Sequence, residues 1–217
     1  MRLPLTAIVT CAVLAFAGGA SAADDPYAAL LAPSGTCGAA DAQLNLSTAT
    51  ARRVMTCLTN YARTHAGLRP LQLSAVLNNA GTAKLTADVS CGEFSHTPCG
   101  KPFVSMFNAY LRGATSYMLG ENIAWGTGSL GTPRQIMREW LHSKEHRENI
   151  LRGSFTEIGI GYLGDQEFQG FAGGSLWSQE FGTRAPARMS SATVSRTSTP
   201  AAKRHRVRTR ALDVHNR

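Results

Sequence analysis

The sequence is poor in charge: Asp, Glu, Lys and Arg make up 17% of its 217 residues against 43% hydrophobic, which excludes an intrinsically disordered chain and leaves material for a core. It has no apolar run of the roughly 20 residues that a membrane-spanning helix needs, the longest being Leu5 to Ala17. No internal repeat is visible, which excludes a solenoid or a propeller. Gly-x-Ser-x-Gly and phosphate-binding glycine loops are missing, and with them the commonest signatures of serine hydrolases and nucleotide-binding proteins. There is no Cys-x-x-Cys pair either, which argues against a zinc-thiolate cluster. The length fits one domain with appendages.

What is present begins with a short basic start at Arg2, the apolar run, and Gly18-Gly19-Ala20-Ser21-Ala22-Ala23, a pattern that predicts a secretory signal over residues 1–22. Cys11 lies within that run, without the small residue expected before a lipidated cysteine. Export to an extracellular or periplasmic compartment would make the remaining even set, Cys37, Cys57, Cys91 and Cys99, a disulfide framework. Three connectivities are open. Sequence proximity favours Cys37 with Cys57 and Cys91 with Cys99, each contributing on the order of 2 to 4 kcal/mol.

The formal net charge of +8 is concentrated at one end. Residues 23–183 carry twelve basic and thirteen acidic side chains, so the body is near neutral and the basicity belongs to 184–217. That tail, with Lys203-Arg204-His205-Arg206-Val207-Arg208-Thr209-Arg210 near its end, has almost no large apolar side chains and is expected to be disordered. With export, anionic envelope polymers or a membrane surface become its expected partners, and no nucleic acid is expected.

Between the ends, residues 23–46 read as a leader pinned by Cys37, and the folded domain is expected over 47–183. Ser47 or Thr50 caps a first helix that Gly67 stops, and Leu68–Leu73 reads as a turn around Pro70. Ser74 caps a second helix with Leu77, Ala80, the aliphatic stem of Lys84 and Ala87 in one stripe. A loop from Cys91 to Gly100 holds His96, and Pro102 opens a third helix with Phe103, Met106, Phe107 and Tyr110 on one face. Gly120 to Gly131 reads as a glycine-rich loop placing Glu121. Thr132-Pro133 starts a fourth helix with Ile136, Trp140 and Ser143 inward. Beyond Gly153 the period becomes that of strands, at 158–162 and 175–181. Helices first and strands later predict an α+β fold, an α-β-α sandwich whose small antiparallel sheet lies between helical layers.

Two imidazoles and a carboxylate, His96, Glu121 and His146, sit in segments whose small or apolar neighbours would fix them on a framework. Neutral imidazole binds metal and a carboxylate orients it or takes its proton, so the trio suits a divalent ion with open positions, and equally a polar staple between loop and helix.

The motifs around these residues resemble a known family. Ser95-His96, Gly120-Glu121-Asn122-Ile123-Ala124, Trp140-x-x-Ser143-x-x-His146-Arg147-x-Asn149-Ile150-Leu151 and Ile158-Gly159-Ile160-Gly161, in that order, resemble the bacterial branch of the CAP superfamily, named for cysteine-rich secretory proteins, antigen 5 and pathogenesis-related proteins. The resemblance starts near Asn60-Tyr61-Ala62-Arg63. It implies a sheet sandwiched between helical layers and a cleft faced by His96, Glu121 and His146 as catalytic or zinc-binding groups, with His96 and His146 the metal ligands. It also implies a lipid, glycan or peptide as ligand, or peptidase activity. Ser143 and Asn60 are counted with the cleft as binding residues. Animal and plant members resemble Trp-Tyr-x-Glu where this chain has Trp140-Leu141-His142-Ser143, so their second carboxylate is missing and a mechanism needing two glutamates is in doubt. A rival pattern in the same stretch, His142-x-x-Glu145-His146, matches an inverted zinc-peptidase motif, provided His142 and His146 share one helix face.

Overall fold

A computed structural model describes residues 25–186; the expected signal segment and all but the first three residues of the expected tail lie outside the described residues. Four helices and four strands follow in the order α1 (Thr48–His65), β1 (Gln72–Leu73), α2 (Ala75–Cys91), β2 (Ala114–Thr127), α3 (Pro133–His142), α4 (Lys144–Ile150), β3 (Glu157–Phe168) and β4 (Phe171–Pro186). Among the described residues no helix is long and apolar enough to cross a membrane.

The first helix starts where the Ser47 hydroxyl accepts a hydrogen bond from the Thr50 amide at 3.2 Å, and it stops before Gly67, whose φ of +74° suits glycine. Its buried face, Val54, Met55, Leu58 and Ala62, joins Ile136, Met137 and Trp140 of α3 and Ile158, Ile160, Trp177 and Phe181 of the sheet in the main core. Helix α2 lies on the opposite face. Alternation along β3 explains how: the isoleucines of Ile158-Gly159-Ile160-Gly161 enter the main core, while the glycines lie under α2. A Cβ on Gly161 would come within 2.5 Å of the Gly81 carbonyl carbon, and one on Gly159 would collide with the Leu77 backbone. Missing side chains therefore let helix backbone settle directly on the sheet.

Strand order is β1-β3-β4-β2, with the three long strands antiparallel and β1 parallel to β3. The α+β sandwich matches the expected class, but the sheet is mixed. The expected turn at Leu68–Leu73 ends in β1 because Asn60 holds it extended, its side chain accepting from the Leu71 amide at 2.8 Å and donating to the Leu71 carbonyl at 3.0 Å.

Three further expectations are corrected. The helix expected from Pro102 is a short 3-10 turn, Phe103–Phe107, although Phe107 and Tyr110 are buried against Leu77 as its apolar face required. The glycine-rich loop around Glu121 is instead the second half of β2. Its glycines mark close approach: a Cβ on Gly120 would meet the Phe155 ring at 2.8 Å, and one on Gly126 the Leu130 carbonyl oxygen at 2.6 Å. The fourth helix is two, broken at Ser143 (φ −80°, ψ 126°). Arg147 stabilises the break by donating to the Leu141 carbonyl at 2.6 Å while its guanidinium lies 4.0 Å from the Tyr27 ring centroid.

Both favoured disulfides form, Cys37–Cys57 and Cys91–Cys99, each with a Cα separation of 5.7 Å. The first pins residues 25–46, which fold as two 3-10 turns and bury Ala32 against the core. At the other end β4 runs three residues past Thr183.

Candidate functional site

Strand β2 is an edge strand, and its pleat sends alternate side chains to the two layers. Leu119, Glu121 and Trp125 face α2, where Leu119 packs with Leu77 and Trp125 with Leu85. Asn122 and Ala124 face the other layer. Glu121 consequently lies beneath α2, whose buried stripe includes Lys84 and Asp88. There the whole lysine side chain is buried, not its stem alone. Its ammonium donates to Asp88 Oδ1 and Oδ2 at 2.8 and 3.1 Å and to the Ser95 carbonyl, and lies 4.0 Å from Glu121 Oε1.

The Ser95 contact and the Cys91–Cys99 bridge fix the loop that presents His96. Its Nδ1 lies 2.5 Å from Glu121 Oε1, the carboxylate side chain 1% exposed and the imidazole 33%. His96 is thus a solvent-reaching group standing on a buried carboxylate.

A second buried carboxylate escaped the sequence reading. Glu180 of β4 is register partner to Glu121 on one side and to Gly159 on the other, and it is fully buried on the same face of the sheet. Both Glu180 carboxyl oxygens and Glu121 Oε2 are buried without a close donor, and Glu180 lies within reach of the Ser178 hydroxyl and of the Glu121 carboxyl. A proton on Glu180 pairs it with Glu121, because it turns two facing acceptors into a donor and an acceptor. Burial pushes both carboxyls up, Glu121 to about 8. The nearby charges of Asp88, for Glu121, and of Glu121, for Glu180, act the same way, while Lys84 opposes both shifts. Burial likewise raises Asp88 against the pull of its Lys84 bonds.

His146 belongs to the other layer. It sits on α4, which a polar chain ties to the sheet: Thr59 accepts from Gln179 at 2.7 Å, Gln179 from Asn122 at 2.9 Å, and Asn122 from Asn149 at 3.0 Å. Asn122 also donates to the His146 carbonyl and Asn149 to the Glu121 carbonyl, at 3.0 and 3.1 Å. Burial pushes the His146 imidazole down to about 4, helped by the charge of His96, so it is neutral at pH 7. The two histidines belong to different layers, His96 on the loop after α2 and His146 on α4.

Ser143 stands at the start of α4 and donates to Glu145 at 3.4 Å, and both polar atoms of the Asn60 side chain are spent on Leu71. His142 lies on α3, on the far side of the break from His146, and pairs with Asp25 at 3.1 Å. The shared helix face that the inverted peptidase motif requires does not exist.

Zinc, implied by the resemblance, needs several donors around one point. Among the described residues no three His, Cys, Asp or Glu side chains are grouped to hold a metal ion. Glu121 Oε1 is engaged by His96 and faces an ammonium, a like charge to any incoming cation. The donor set does not fit the ion.

Residues 57–181 match the family model described as the cysteine-rich secretory protein family, CAP. The chain is 36% identical over 126 residues to the uncharacterized protein YkwD of Bacillus subtilis, covering 57% of this chain and 44% of that protein, under half of the relative's length. Among solved structures it is similar to an outer surface protein from Borrelia burgdorferi, with a TM-score of 0.55 and 16% identity over 64% of this chain and 97% of that one. An extracellular protein containing an SCP domain from Bacillus anthracis gives a TM-score of 0.49 and 20% identity, covering 64% of this chain and 44% of that one. A family match over more than half of the chain, on the fold described above, makes this protein a member of the CAP family of cysteine-rich secretory proteins.

Proposed function

We propose that this CAP domain is an exported binding module, acting at or outside the cell envelope, whose cleft at the edge of β2 receives an amphipathic lipid, glycan or peptide. The observation that carries this reading is the His96–Glu121 pair. A hydrolytic base must reach water or substrate, and Glu121 does neither, with its side chain 1% exposed and held by His96. What reaches solvent is an oriented imidazole, two residues from Phe94, which is 41% exposed and packs edge-on to Phe168. Phe168 in turn packs edge-on to Trp125, and Trp125 lies against Phe171, 57% exposed. An oriented hydrogen-bonding group beside exposed rings suits a ligand with a polar and an apolar part.

Two disulfides support export, as does the name of the outer surface protein from Borrelia burgdorferi. The cations between Lys203 and Arg210 would add a salt-sensitive contact to an anionic envelope polymer or membrane surface.

The test is binding, followed by tryptophan fluorescence, to anionic vesicles, to soluble cell-wall glycan fragments and to peptides. One of the three is expected to bind, and His96→Ala and Phe94→Ala are each expected to weaken it about tenfold, Phe94→Ala with little change in melting temperature. Unchanged affinity in both variants would remove the cleft from the account. Truncation after Pro186 separates the tail, whose share is lost at high salt.

A further inference from the structure

We propose that the first half of β2 is a pairing edge for a second copy of this chain, so that two domains join their sheets antiparallel about a two-fold axis at Met118. The claim does not depend on what the cleft binds from solution.

Strand order leaves one side of β2 without a neighbouring strand among the described residues. Along its second half that side is covered from the helices, Asn149 donating to the Glu121 carbonyl at 3.1 Å and Trp140 to the Ile123 carbonyl at 3.2 Å. Those carbonyls therefore point away from β4, and in an extended strand the backbone groups two residues before them point the same way. Leu119 and Tyr117 belong to that set. The register agrees: the carbonyl of Gly182, opposite Leu119, is turned to the other side of β4, where it accepts from the Thr156 amide at 3.1 Å. Among the described residues nothing bonds the outward amides and carbonyls of Tyr117 and Leu119. The irregularity between Ala114 and Ser116 bounds the open stretch on one side and the Asn149 contact on the other.

An open edge is ordinarily blunted by charge, proline or a covering segment. Ala114 to Gly120 carries neither charge nor proline, and Tyr117 is 40% and Met118 37% exposed. Unmet backbone groups on an edge recognise another extended strand. Here they are symmetrical about Met118, which points to the same strand from a second copy. Run antiparallel, Tyr117 of each copy lies opposite Leu119 of the other, and each such pair exchanges both of its N–H···O bonds, so every outward group of the open stretch is met at once. The side chains match as well. Tyr117 covers the half-buried Leu119 of the second copy, which packs with its own Leu77, while the two Met118 side chains meet on the opposite face in a non-hydrogen-bonded pair with Cα atoms about 4.5 Å apart. Arg184, register partner of Tyr117, does not oppose the approach, because Glu157 at 3.9 Å and the Tyr110 carbonyl engage its guanidinium. A ladder this short makes a small interface and a weak dimer.

The experiment is sedimentation equilibrium of the protein from residue 23 onward, with and without the residues after Pro186, beside mild oxidation of variants that carry one added cysteine. Both lengths are expected to dimerise below about 500 µM. Met118→Lys, which sets two ammoniums against each other at an exposed position, is expected to raise the dissociation constant at least about tenfold. Met118→Cys is expected to give a cross-linked dimer on oxidation, since its separation across the axis suits a disulfide, whereas Ser116→Cys, whose two copies lie about 14 Å apart, is not. The proposal is overturned by a monomer at about 500 µM, whatever peptide the edge then takes, by a dimer that Met118→Lys leaves intact, or by Ser116→Cys cross-linking as readily as Met118→Cys. A dimer that forms only after truncation overturns it too, because the chain's own tail would then be what fills the edge.

Discussion

Glu121 of β2 and Glu180 of β4 are opposed across an antiparallel register, both buried on the α2 side of the sheet. Like charges directly opposite destabilise a sheet, more so away from water, so the pair persists because one proton and the Lys84 cation neutralise it. The polar interior of the protein is organised by that neutralisation, and His96 is the part of it that meets solvent.

Replacing Glu180 by glutamine supplies the missing donor permanently. Folded-state values raised above the ordinary 4.5 mean that the carboxyls stabilise the fold below that pH, and that the contribution is lost as pH rises through the folded value, about 8 for Glu121. Glu180→Gln is therefore expected to match wild type at pH 5 and to exceed it at pH 9 by about 1 to 2 kcal/mol in urea denaturation. A variant less stable than wild type at pH 9 would contradict the shared proton.

His146 gives the opposite slope. Its folded value, lowered from 6.5 to about 4, means that the neutral ring stabilises the fold above 6.5 and that this is lost as pH falls towards 4. The loss is at most on the order of 3 kcal/mol. His146→Gln should flatten the stability profile between those limits, measured by chemical denaturation across the range. An unchanged profile would mean that the ring protonates freely in the folded protein.

Asn149 holds α4 to the edge strand through Glu121 and Asn122. Asn149→Ala leaves the buried amide of Asn122 short of a donor and is expected to cost about 1 to 3 kcal/mol. It should also loosen His146, seen as faster exchange of the α4 amides. His142→Ala, which removes an exposed pairing with Asp25 and an edge contact with the Tyr27 ring, is expected to change stability by less than about 0.5 kcal/mol.

The fold was legible where side-chain pattern is local. Ser47 and Gly67 bounded α1, Ile158-Gly159-Ile160-Gly161 announced a strand, and cysteine spacing favoured the bridges that form. Two of the misreadings share one cause, since glycine and serine look the same in a loop and in an element pressed by a neighbour. Gly120 and Gly126 interrupt the apolar pattern of β2 because Phe155 and the Leu130 carbonyl occupy the space, and Ser143 breaks a helix whose periodicity runs straight through. Within the candidate site, His96 and Glu121 were recognisable from their motifs. Glu180 was not, because its partner lies 59 positions away and only the register reveals it. Lys84 carried a weak signal, a lysine in the alanine stripe of α2, which reads as a stem reaching for solvent until Asp88 is seen to hold its tip.

The closeness of α2 to the sheet is what places Lys84, and it is testable at Gly159. An added methyl there collides with the backbone of Leu77 and Asn78, which cannot turn aside as a side chain would, and β3 is held by hydrogen bonds on both edges. Gly159→Ala should therefore cost more than the roughly 1 to 3 kcal/mol usual for overpacking, because a helix or a strand must move. A comparison is available at Gly153, where the nearest atom to an added methyl is Leu68 Cδ2 at 3.6 Å, an ordinary contact. Gly153→Ala is expected to change stability by less than about 0.5 kcal/mol. Paired denaturation curves decide it, and a crystal structure of Gly159→Ala, if it folds, should show α2 lifted and the Lys84 ammonium farther from Glu121. Equal stabilities of the two variants would mean that α2 yields easily and that packing on β3 does not fix Lys84.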